Sequence, residues 1–70
     1  MPKLSGINHL RAISAFEKAG FEIIRQGKHI SMYNGERTIT IPRNNPINPF
    51  TMAGIINDAG LTIDEFKLLL

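Results

Sequence analysis

Asn34-Gly35 stands between two runs, HISMYN and ERTITI, in which apolar and polar residues alternate, and this arrangement restricts the fold more than any other stretch of the chain. Alternation with period two marks a half-buried strand, and Asn-Gly is the strongest short-range signal for a two-residue hairpin loop. A type I′ loop places Tyr33 opposite Glu36, Met32 opposite Arg37, Ser31 opposite Thr38, Ile30 opposite Ile39 and His29 opposite Thr40. Directly opposed residues share a side of the sheet. Ile30, Met32, Ile39 and Ile41 therefore make an apolar face, and His29, Ser31, Tyr33, Glu36, Thr38 and Thr40 a polar one. Such a sheet packs helices on the first face and turns the second to solvent or ligand.

The flanking sequence supplies the helices and one more strand. Ser5 and Asn8 are both N-cap candidates for a helix running to about Ala19, with Leu10, Ile13 and Phe16 at spacings of three and Ala12, Ala15 and Ala19 beside them. Gly20 ends it. Phe21 to Gln26, FEIIRQ, is short and rich in β-branched and aromatic residues, so it reads as the first strand, and Gly27 turns the chain into the second. Pro42 ends the third strand, after which RNNPINP resists both helix and ladder. Asn48 as N-cap and Pro49 at the first helical position open a second helix to about Ala59, presenting Phe50, Ile55 and Ile56 with Met52 and Ala59 as partners. Thr62 and Glu65 form a capping box that starts a short terminal helix with Phe66 and Leu69 inward. The order α, β, β, β, α, α predicts an α+β two-layer sandwich, with residues 1–70 as a single domain. Its expected core is Phe16, Phe21, Ile23, Ile30, Ile39, Ile41, Phe50, Ile55 and Ile56.

A domain of 70 residues has a small stability margin, and with no Cys it has no disulfide to widen it. The missing Cys also excludes zinc fingers and thiol nucleophiles, and favours a cytoplasmic protein over a secreted one. No stretch has the apolar length of a signal peptide core or a membrane span. The net charge of +2 is unevenly spread: through Arg43 there are seven basic and three acidic residues, and from Asn44 onward only Lys67 opposes Asp58, Asp64 and Glu65. Phosphate contacts are expected from the first two-thirds of the chain.

Most chemistry can be set aside from the residues themselves. His9 and His29 lie on different elements with no carboxylate cluster near either, so no metal site is expected, and no glycine-rich run cradles a nucleotide phosphate. None of Ser5, Ser14 and Ser31 falls at the strand-to-helix elbow that exposes a serine nucleophile. His29 has two readings: a general acid or base on an exposed sheet face, where a near-neutral imidazole suits proton transfer at a ribose hydroxyl or leaving oxygen, or a plain solvent-facing strand residue. Lys28 and Arg25 are near it in sequence and can hold a phosphate, and Arg37 adds to the same positive region. Tyr33 and the threonines could stack on or hydrogen-bond to nucleotides, or simply be good strand formers.

The run Ala15-Phe-Glu-Lys-Ala-Gly-Phe-Glu-Ile-Ile-Arg-Gln-Gly-Lys-His29, the hairpin into Thr38-Ile-Thr-Ile-Pro42, and Ile55-Ile-Asn-Asp-Ala-Gly-Leu-Thr-Ile-Asp-Glu-Phe66 together resemble the HicA-type toxins of bacterial toxin–antitoxin pairs. The resemblance implies a double-stranded-RNA-binding-domain-like α-β-β-β-α fold, here with a short extra C-terminal helix. It implies a ribosome-independent mRNA endoribonuclease that needs no metal or cofactor, with His29 as catalytic histidine and a HicB-type antitoxin covering the active face. Lys28, Arg25, Tyr33 and Arg37 are then the expected RNA-binding residues, and mRNA the substrate. Two features depart from that family. Lys28 stands where a Ser usually precedes the histidine, and NNPINPFTMAGIIND carries none of the basic residues usual in that loop and helix. The alternative function is a catalytically weak or inactive relative acting as a small RNA- or protein-binding module.

Overall fold

The computed structural model of the chain describes residue 4 and residues 6–70. Six elements follow one another: α1 (His9–Lys18), β1 (Glu22–Gln26), β2 (His29–Tyr33), β3 (Thr38–Pro42), α2 (Pro49–Asp58) and α3 (Ile63–Leu69). The strands form one antiparallel sheet in the order β1-β2-β3, with the helices packed on one of its faces. This is the α+β two-layer arrangement of a double-stranded-RNA-binding-domain-like fold, with α3 as the added helix.

Each helix starts where its sequence says it should. Asn8 caps α1 by accepting from the backbone N–H of Arg11, and Ser5, the other candidate, lies outside the described residues. Asn48 caps α2 by accepting from the N–H groups of Phe50 and Thr51, with Pro49 at the first turn, where its missing N–H leaves nothing unpaired. Thr62 and Glu65 close a reciprocal capping box on α3.

Phe16, Phe21, Ile30, Ile39, Ile41, Ile55 and Ile56 are buried as expected. Phe50 and Leu10 are not, being 88% and 65% exposed. The inner stripe of α2 is Met52, Ile55, Ile56 and Ala59, and that of α1 is Ala12, Ile13, Ala15 and Phe16. Phe50 and Leu10 each precede the first member of their stripe by two positions, about 200° around a helix of 3.6 residues per turn, and so face outward. Ile23 also fails as a core residue: α1 and α2 pack over β3, and all five residues of β1 are exposed.

The core gains Ile7 and Ile47 instead, joined through the N–H of Ile47 donating to the Ile7 carbonyl at 2.8 Å. Phe66, fully buried, meets Phe16 with ring centroids 5.0 Å apart, and Phe21 packs edge-on to Phe16 at 5.8 Å.

The hairpin register differs from the two-residue expectation. Tyr33 pairs with Thr38, Met32 with Ile39, Ser31 with Thr40, Ile30 with Ile41 and His29 with Pro42, leaving a four-residue loop, Asn34 to Arg37. A type I′ turn needs positive φ at both central residues. Only Gly35 adopts it, at +99°. The Oδ1 of Asn34 instead accepts from the N–H groups of Glu36 and Arg37, at 2.9 and 2.7 Å, and this side-chain turn widens the loop. The slip is two residues, an even number, so the faces survive: Ile30, Met32, Ile39 and Ile41 are buried and His29, Tyr33, Thr38 and Thr40 exposed.

Candidate functional site

Three cross-strand rows make up the polar face. Glu22, Tyr33 and Thr38 form the row nearest the β2–β3 loop; Arg25, Ser31 and Thr40 form the middle row; His29 and Pro42 form the row at the opposite end. Arg25 reaches this face because the β1 register shifts between Ile23 and Arg25, which opposes Glu22 to Tyr33 and Arg25 to Ser31. Without that bulge, two residues three apart would point to opposite sides.

His29 opens β2 and is exposed, directly after Lys28 in the β1–β2 turn. Arg25 is its diagonal neighbour across the β1–β2 pair, a relation that puts the two backbones about 7–8 Å apart and within reach of a long side chain. His29, Lys28 and Arg25 therefore share one end of the sheet.

Tyr33 and Arg37 belong to the other end. Tyr33 is four residues along β2 from His29, about 13 Å at the rise of a strand, and its hydroxyl donates to the Gly35 carbonyl at 2.8 Å. Arg37 leaves the sheet altogether. Its Nη1 donates to the Asp58 carbonyl at the end of α2, 3.3 Å away, and its side chain lies over Gly60.

Arg43, to which the sequence pattern assigns no role, stands at the His29 end. It follows Pro42, the cross-strand partner of His29, and its Nε donates to the Gly27 carbonyl at 3.0 Å. The turn is closed from within by the Gly27 N–H donating to the His29 carbonyl, also at 3.0 Å. No periodicity or motif announces Arg43, because its position depends on which strand ends lie together. Among the described residues, Arg25, Lys28 and Arg43 thus lie at the same end of the sheet as the exposed His29.

His9 is occupied elsewhere, with its Nδ1 2.8 Å from the Asn45 Oδ1, which also accepts from the His9 N–H. Among the described residues no group of three or more His, Cys, Asp or Glu could hold a metal ion, and no cavity encloses the site. The polar face is an open surface of the sheet. No helix among the described residues is long and apolar enough to cross a membrane.

No curated protein and no solved structure matches the chain. A family pattern does match, that of the HicA toxin of bacterial toxin–antitoxin, over residues 11–61, a span that takes in the whole sheet, His29, and the cations Arg25, Lys28 and Arg43. The sequence motifs, the α-β-β-β-α-α order and this match agree, and the chain belongs to the HicA toxin family of bacterial toxin–antitoxin systems.

Proposed function

We propose that the protein is an endoribonuclease that cleaves mRNA, with His29 as its proton-transfer group. The observation that carries this reading is the exposed imidazole at one end of a polar sheet face, with Arg25, Lys28 and Arg43 at that same end. As general base, His29 accepts the proton of a ribose 2′-OH while the 2′ oxygen bonds to phosphorus and the bond from phosphorus to the 5′ oxygen breaks. The charge that builds on the phosphoryl oxygens falls among the cations, and the departing 5′ oxygen takes its proton from solvent or from the Lys28 ammonium. The products are a 2′,3′-cyclic phosphate and a 5′-hydroxyl. A HicB-type antitoxin silences such a protein by covering the polar face, and mRNA and antitoxin meet in the cytoplasm.

Growth arrest and mRNA decay are the expected results of inducing the protein alone, and His29→Ala should abolish both, with a loss of roughly 100-fold or more in cleavage of a purified RNA. An oligonucleotide with a 2′-deoxyribose at the cut site should resist the unaltered enzyme. Full activity of His29→Ala would remove the histidine from the mechanism.

A second reading, an RNA-binding relative with little turnover, is favoured by one observation: by the strand register, no second His, Asp or Glu shares the two rows nearest His29. It predicts retention of RNA in a gel shift that weakens steeply with salt, with no cut product.

A further inference from the structure

We propose that Arg43 is a positioning residue, one that fixes the turn bearing Lys28 and His29 in the geometry needed for phosphodiester chemistry; this rests on the reading of His29 as the proton-transfer group. The turn is the weakest part of the site as built. Gly27 and Lys28 are exposed, β1 is exposed along its whole length, and β1 meets the rest of the molecule chiefly through its pairing with β2.

The one side chain among the described residues that bonds to this turn is Arg43. It leaves the end of β3 and reaches past the start of β2 to the Gly27 carbonyl, so that the ends of all three strands are joined around His29. That hydrogen bond uses Nε alone. Among the described residues the terminal nitrogens of the guanidinium make no hydrogen bond, which leaves them to a phosphate beside the imidazole. A planar fork can donate to a carbonyl with Nε and keep its other donors directed elsewhere, which a lysine ammonium, a single point charge, does less well.

Proton transfer tolerates little misplacement, and an error of about 1 Å can cost 10²-fold in rate. The experiment uses the full chain and a single-stranded RNA oligonucleotide labelled with fluorophore and quencher. It compares Arg43→Ala and Arg43→Lys with the unaltered protein and with His29→Ala, and measures amide hydrogen exchange on the same samples. Arg43→Ala is expected to lower kcat by roughly 10- to 100-fold with KM changed less than about threefold. Exchange at the Gly27 amide, whose N–H donates to the His29 carbonyl, should quicken while the melting temperature stays put, since Arg43 is a surface residue. Arg43→Lys, which keeps a donor for the Gly27 carbonyl, should recover part of kcat and most of the exchange protection.

Unchanged kcat in Arg43→Ala, or a loss confined to KM, would overturn the proposal and leave Arg43 as an ordinary phosphate contact. Cleavage surviving in His29→Ala would overturn the reading of His29 instead. The exchange measurement separates the two cases, because it reports whether Arg43 holds the turn even in a protein that does not cut: protection unaltered by Arg43→Ala overturns the proposal whatever the enzyme does.

Discussion

Arg37 and Gly60 show how a residue can be committed to structure when its charge suggests otherwise. A methyl group placed on Gly60 would lie 2.8 Å from the Arg37 Nε, and the backbone there has φ of +78°, which L side chains adopt only under strain. Gly60→Ala is expected to destabilise the protein by roughly 1–3 kcal/mol in urea titration, and Arg37→Ala in that background should restore the part due to crowding. Full recovery would show that the backbone strain is negligible. At this scale the sequence was legible where a residue's role depends on its neighbours in the chain. Asn8, Asn48 and Thr62 were read correctly as caps for that reason. Arg37 and Arg43 were not legible, since each is assigned by a carbonyl from another element, Asp58 in one case and Gly27 in the other.

Elements were legible in type and in order, and their errors have identifiable causes. The hairpin widened because the side chain of Asn34 replaced the backbone turn, and the faces were read correctly only because the resulting slip was even. Core residues were missed at helix entries. Ile7, Ile47 and Leu61 each precede an N-cap, and the residues five positions later, Ala12, Met52 and Phe66, are all buried, which is the spacing of a hydrophobic staple. That pattern was in the sequence, and applied to all three helices it would have drawn Ile7 and Ile47 into the core and directed attention away from Phe50. The capping box of α3 has a measurable worth: Thr62→Ala should lower stability by about 0.5–2 kcal/mol, with the exchange of α3 amides rising first. Loss spread evenly through the molecule would mean that α3 does not open on its own.

The family match ends at Leu61, but the folded unit does not. Phe66 on α3 is fully buried against Phe16, and the Lys18 Nζ donates to the Leu69 carbonyl at 3.1 Å, so α3 covers α1. A chain ended at Leu61 would lose Phe66 and uncover Phe16 in a core with little to spare. It should lose the dispersed amide spectrum of the full chain and bind a hydrophobic dye; a well-dispersed spectrum from the shortened chain would show that α3 is dispensable. The opposite side of the molecule has the opposite property. With both main helices gathered over β3, β1 depends on one neighbour for its order. An edge held so lightly opens at a lower free energy than the rest of the sheet, and a bound strand of RNA lying along the polar face would close it. On the proposed reading, part of the affinity for RNA would be spent on quieting β1, so the tightness of binding and the stillness of that strand should rise and fall together across a series of ligands.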